Sequence, residues 1–170
     1  MQKFEAAFVA ANRWLLIVIL AAMSLIVFAN VVLRYTTGES LFWGEEVSRY
    51  LMIWLALLGM GPVLRSGGHI AIDNLQDSLP PAIARIVRVL VVLILVVFFL
   101  VMIRYGIDYV DRTMVQSAPS IQIPMGYVYL ALPVGFALAL IHLVFMVRNY
   151  VLERRFTAEA GFDADSASSL

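Results

Sequence analysis

The sequence predicts an all-α integral membrane protein with four transmembrane helices. Three observations lead there. Of the 170 residues, 62% are hydrophobic and only 14% are charged, against about 25% charge in a typical soluble domain. The apolar residues gather into four long runs, near residues 14–33, 47–64, 83–103 and 125–147. None of the runs shows the period-two alternation of a barrel strand. Backbone amides have no water to bond in lipid, so such runs must close their hydrogen bonds as helices. The net charge of zero argues against nucleic acid as a partner. There are no cysteines, hence no disulfide, thiolate metal site or cysteine nucleophile.

The first run has twenty uncharged residues, enough to cross about 30 Å of hydrocarbon. It is too long for the apolar part of a signal peptide and reads as a retained span. Thr36, Thr37 and Gly38 break it, and Ser40 is a candidate cap for the next helix. Phe42 and Trp43 then suit the interfacial layer, where amphipathic rings are favoured.

The second run opens with Glu45, Glu46 and Arg49 and carries Trp54 further in. Adjacent residues on a helix point about 100° apart, so the two glutamates cannot form a facing acid/base pair. Arg49 lies three and four residues on, within reach of either, and Arg34 is nearby. The expectation is an electrostatic latch on the bend between the first two helices, closing on Arg49, on Arg34 or on another subunit.

Residues 65–85 come after the second run. Ser66, Gly67 and Gly68 should end the helix after Arg65. Ile72, Leu75 and Leu79 share one face of a short amphipathic segment, with Asp73 on its polar side. Pro81 is placed to open the third helix. His69 and His142 are the only histidines and sit at different depths, so no metal site is expected.

The third run continues past Arg104, with Asp108 and Arg112 spaced for an i,i+4 pair. Residues 116–124, beginning at Gln116, are polar but uncharged and are stiffened by Pro119 and Pro124. This stiffness suggests a segment packed on a surface. In the fourth run Pro133 is expected to kink or loosen the helix, and Gly135 to allow close helix approach. His142 fits a polar contact between helices. Helix packing should use Gly59, Gly61, Ala21, Ala22 and Ser24. Residues 1–155 form one four-helix domain, and residues 156–170, small and acidic, read as a disordered tail.

Orientation comes from lysine and arginine. Lys3, Arg13, Arg65, Arg85, Arg88, Arg148, Arg154 and Arg155 fall on one side, and Arg34, Arg49, Arg104 and Arg112 on the other. Both termini are therefore expected in the cytoplasm.

No phosphate loop, metalloprotease helix, nucleophile elbow or redox pair is present. The sequence points to neither an enzyme nor a cofactor. Polar residues within the runs are few, Ser24, Asn30 and His142, and there is no inverted repeat, so the runs are poor in what a transport path needs. A scaffold or partner subunit is the simpler reading. The alternative is an autonomous channel or carrier formed by a homo-oligomer.

Four motifs in order sharpen this reading. They are NVVLRY at residues 30–35, FWGEEVSRYLMIWLALLG at 42–59, RSGGHIAID at 65–73 and QSAPSIQIPMGYVYLALPVG at 116–135. Together, over about residues 10–152, they resemble the small membrane subunit of tripartite ATP-independent periplasmic (TRAP) transporters, the DctQ-like family. The departures are Arg65-Ser66 before Gly67, and a tail without family pattern. The resemblance implies a bacterial inner-membrane, multi-pass subunit without catalysis. It implies a heterodimer with a large multi-span subunit that holds the sodium and substrate sites and moves as an elevator. A periplasmic solute-binding protein would dock transiently and deliver an organic acid, such as a dicarboxylate or sugar acid. By motif, Arg34, Glu45, Glu46, Arg49, Trp54, Arg65, His69 and Asp73 take structural or interface roles. Trp43, Gln116, Pro119, Pro124, Pro133 and Gly135 join them as interface candidates.

Overall fold

The computed structural model describes residues 2–65 and 80–153. Among these residues five helices succeed one another: α1 (Gln2–Thr37), α2 (Gly44–Arg65), α3 (Pro81–Thr113), α4 (Gly126–Tyr129) and α5 (Ala131–Glu153). Among the described residues four segments are long and apolar enough to cross a membrane: Glu5–Thr37, Gly44–Arg65, Ala82–Thr113 and Gly126–Val147, the last combining α4 with most of α5. The chain is an all-α, multi-pass membrane protein. Among the described residues the only strand-like pairing is an isolated antiparallel bridge between Ser117 and Pro124.

Two helices are longer than their apolar runs. α1 has 36 residues and α3 has 33, so they extend about 54 and 50 Å at 1.5 Å per residue. Apolar runs mark only the depth of hydrocarbon, about 30 Å. A helix whose backbone is already paired has no reason to stop at that boundary. α1 stops at Thr37, where Gly38 adopts φ 76° and provides the left-handed position that ends a helix. α2 starts at Gly44, too far along the chain for Ser40 to cap it.

α5 is the centre of the bundle. Phe136, Ala139, Leu143, Met146 and Tyr150 are buried along it at alternating three- and four-residue spacing, the seam that two packed helices share. Leu64 of α2, with Val92 and Phe99 of α3, completes the core. α5 packs between α2 and α3, whereas α1 leans mainly on α2. Gly135 makes the α2–α5 approach possible, because a Cβ there would lie 2.8 Å from the Cβ and backbone oxygen of Leu57.

Pro133 has no N–H to offer the carbonyl of Tyr129, four residues back at the end of α4, and so loosens the helix of the fourth span there. The discontinuity falls one turn earlier, at Leu130 between α4 and α5.

Candidate functional site

At the bundle end that holds the α1–α2 and α3–α4 connections, Glu46 is the organising side chain. It lies in the first turn of α2 and is buried. Its Oε1 accepts a hydrogen bond from the Tyr50 hydroxyl at 2.5 Å. Its Oε2 accepts one from the backbone N–H of Ser120 at 2.7 Å. A carboxylate is suited to this, since it accepts on both oxygens. One side chain thus ties α2 to the connection before α4.

That connection is a compact turn. Ala118 N–H donates to Ile123 O at 2.8 Å, and Met125 N–H donates to Gln116 O at 2.8 Å. The Gln122 side chain donates to Pro119 O, and Gln122 itself takes the left-handed φ of 55°. Ala118 is completely buried, while Gln116, Pro119 and Gln122 face outward. The Tyr50 hydroxyl also approaches the Met125 sulfur at 3.4 Å. On the neighbouring connection, Asn30 Oδ1 accepts from the Leu41 N–H at 2.8 Å and holds the α1–α2 bend.

Within the chain the glutamates close on neither of the two arginines. Among the described residues, Glu45 and Glu46 form no ion pair with Arg34 or Arg49; the ion pairs are Arg65–Glu5 and Arg104–Asp108. Glu46 points inward with Tyr50, four residues on, while Glu45 and Arg49 are exposed on the side facing α1. The 100° offset between adjacent helical residues produces this division. Asp108 likewise pairs with Arg104 on its N-terminal side rather than with Arg112.

A second polar set joins the helices in the other half of the bundle. Pro62 has no N–H to offer the carbonyl of Leu58, its normal partner four residues back. The Asn12 amide of α1 donates to that carbonyl at 3.3 Å and lies 3.2 Å from His142 Nε2 of α5. His142 is fully buried, stacked obliquely on Phe8 at 5.1 Å. It fits against α2 because residue 61 is glycine: a Cβ there would be 2.2 Å from the His142 ring. One turn further along α2, Arg65 is only 4% exposed, and its Nη2 bonds Glu5 Oε1 at 2.6 Å. Arg88 closes the α3–α5 contact by donating to the backbone oxygens of Tyr150 and Val151.

Of the other sequence candidates, Arg34 is exposed in the last turn of α1, and Trp43 and Trp54 are half-buried. Pro124 forms the bridge with Ser117. His69 and Asp73 lie outside the described residues. A Cβ on Gly59 would meet nothing within 4 Å, so no close helix approach depends on it, and Ala21 and Ser24 are exposed. Glu5, Asn12, Tyr50 and Pro62 were not legible as a set. The clue was the helical phase running back through Phe8 and Asn12, four residues apart, ahead of the apolar run.

Glu46, Asn12, His142, Arg65 and Arg88 thus hold helices and loops together, while Asn12 Oδ1, Ser48 Oγ, Arg65 Nη1 and His142 Nδ1 find no hydrogen-bond partner among the described residues. The sequence model of the tripartite ATP-independent periplasmic transporters, DctQ component, matches residues 23–152. The chain belongs to the DctQ family. Members of the family are transporter components, not enzymes. The chain is similar to the ectoine TRAP transporter small permease protein TeaB of Halomonas elongata, 34% identical over 121 residues, covering 69% of this chain and 62% of that protein. It is 32% identical over 108 residues to the C4-dicarboxylate TRAP transporter small permease protein DctQ of Rhodobacter capsulatus, covering 61% and 48%. It is also 26% identical over 144 residues to the isethionate TRAP transporter permease protein DctMQ of Oleidesulfovibrio alaskensis, covering 84% of this chain but 22% of that protein. The chain spans less than two thirds of the length of each of these relatives.

Proposed function

We propose that this chain is the small permease subunit of a binding-protein-dependent, sodium-coupled transporter for an organic acid. It lies in the bacterial inner membrane with both termini in the cytoplasm. Its role is to scaffold a large multi-span subunit, which carries the sodium and substrate sites. The ectoine and C4-dicarboxylate relatives support an organic-acid cargo. The isethionate relative, in which the matching region is under a quarter of one longer permease chain, supports a large membrane partner.

One observation about the bundle carries the scaffold role. Glu46, Arg65, Asn12 and His142 inside it each make a fixed contact between elements: Glu46 with Tyr50 and Ser120, Arg65 with Glu5, and Asn12 with His142 and Leu58 O. A translocation path instead needs polar groups free to bind and release a solute. On this reading the exposed residues of the 116–125 turn, with Trp43 and the α1–α2 bend, face the periplasm, where a solute-binding protein docks.

The test is affinity purification of the tagged chain from its native membranes. A large multi-span permease is expected to co-purify in fixed ratio. Recovery of the chain alone as a homo-oligomer that carries solute in liposomes would overturn the reading in favour of an autonomous channel or carrier.

A further inference from the structure

Of the buried side-chain atoms that make no hydrogen bond among the described residues, three gather at one junction of α1, α2 and α5: Asn12 Oδ1, Arg65 Nη1 and His142 Nδ1. Asn12 is 5% exposed, Arg65 4% and His142 0%. The three side chains share one neighbourhood. Asn12 contacts His142, and Gly61 gives the His142 ring its seat on α2. Arg65 follows Gly61 by one helical turn. Its partner Glu5 stands one turn before Phe8, whose ring lies against His142. Phe145 meets Phe8 edge-on at 5.8 Å and adds an apolar wall.

The hydrogen bonds already made decide what the three atoms can do. The Leu58 carbonyl can only accept, so Asn12 turns its NH2 group toward it and not its oxygen. The same NH2 group lies 3.2 Å from His142 Nε2, which must therefore accept. An accepting Nε2 excludes the imidazolium, so the single ring proton sits on Nδ1. The junction is left with two donors, His142 Nδ1–H and Arg65 Nη1–H, and one acceptor, Asn12 Oδ1. Two donors and the Arg65 charge refuse a cation. Arg65 and Glu5 already neutralise each other, so an anion would add an uncompensated buried charge. Water is neutral, both donates and accepts, and is the common partner of buried polar atoms that protein leaves unpaired. The Phe8 and His142 rings are tilted by 52° rather than stacked flat, so the gap between them widens to one side.

We infer that this junction is a binding site for ordered internal water, with His142 held in its Nδ1–H tautomer. Water accepts from His142 Nδ1–H and from Arg65 Nη1–H and donates to Asn12 Oδ1. It joins α1, α2 and α5 as part of the fold, in the half of the bundle where Pro62 has already removed a backbone donor. His142 is then an anchor with both ring nitrogens engaged, Nε2 by Asn12 and Nδ1 by water.

The test is solid-state NMR of the full chain in lipid bilayers, with isotope-labelled histidine and alanine. His69→Asn leaves His142 as the sole histidine, so its ring signals need no assignment. Nδ1 should resonate as a protonated nitrogen and Nε2 as an unprotonated one. Magnetisation should pass from water to Nδ1–H at least tenfold more strongly than to the backbone N–H of Ala139, which is equally buried on α5 but bonded within the helix. A proton on Nε2 would overturn the tautomer and the donor count with it. Transfer below the tenfold margin would overturn the water site, whether the donor is dry or held by a protein acceptor. A second measurement needs no substitution. A density map of the wild-type protein that shows ordered waters should place one within about 3.2 Å of His142 Nδ1. No water there, or a protein atom in its place, would overturn the inference as well.

Discussion

Gly61→Ala should destabilise the bundle, whereas Gly59→Ala, two residues earlier on the same helix, should not. A methyl group at position 61 would sit 2.2 Å from the His142 ring and 2.9 Å from its Nε2. An ordinary carbon contact needs about 3.5–4.0 Å, so the ring or the helix must move by about 1.5 Å. The ring has little room, being fully buried between Phe8, Asn12 and α2. Overpacking of this kind costs about 1–3 kcal/mol. Displacing the ring from Asn12 forfeits an interhelical hydrogen bond worth about 0.6 kcal/mol in a membrane. The intrinsic gain of alanine over glycine in a helix, at most about 1 kcal/mol, offsets part of this. At position 59 nothing lies within 4 Å, so only the gain remains. The two variants should therefore differ by about 2–3 kcal/mol, a Tm separation of about 4–12 °C for a chain this size. Thermal unfolding of the detergent-purified protein reads it directly. His142→Ala, itself destabilising, should remove the clash, so the Gly61→Ala/His142→Ala double variant should lose less than the sum of the singles. Equal Tm values for the two glycine variants, with strict additivity in the double, would refute the packing argument.

The polar contacts carry three further predictions. Glu46→Ala frees the Ser120 N–H and the Tyr50 hydroxyl together, so proteolysis within residues 116–125 should accelerate at least tenfold. Glu46→Gln keeps one acceptor oxygen and should fall between Glu46→Ala and wild type. Glu5→Ala leaves the buried Arg65 guanidinium without its carboxylate and should cost about 3 kcal/mol in equilibrium unfolding. Arg65→Met, which removes the buried charge itself, should cost less. Asn12→Leu should weaken attachment of α1 by leaving the Leu58 carbonyl, which Pro62 cannot serve, without a donor; cleavage in an engineered site at residues 38–40 should then release α1 more readily than in wild type.

The number and order of the spans were legible in the sequence because hydrocarbon imposes a simple rule on length and polarity. Helix ends were less so: α1 and α3 run beyond their apolar cores, since backbone pairing rather than hydropathy decides where a helix stops. Pro133 marked a weak point in the fourth span, and the interruption at Leu130 falls within one turn before it, where its missing N–H leaves the Tyr129 carbonyl without its helical donor. The paired glutamates stood out in the sequence, but their partners did not. Arg49 at i+3 and Tyr50 at i+4 both lie within reach of Glu46 along one helix, but the amide 74 residues away, which fixes Glu46 on the Tyr50 side, becomes accessible only through the tertiary fold. The Pro62–Leu58–Asn12–His142 set shows the same limit. Each member is unremarkable alone, and the need for Asn12 appears only once α1 lies beside the carbonyl that Pro62 leaves free.

Reconstituted uptake tests the scaffold role most directly. Proteoliposomes would hold this chain alone, the large subunit alone, or both, each with the solute-binding protein, an organic-acid cargo and a sodium gradient. Uptake should occur with both membrane subunits, should fall to background with this chain alone, and should drop sharply when this chain is omitted. Sodium-driven uptake by this chain alone, or full uptake by the large subunit without it, would contradict its assignment as a scaffolding subunit.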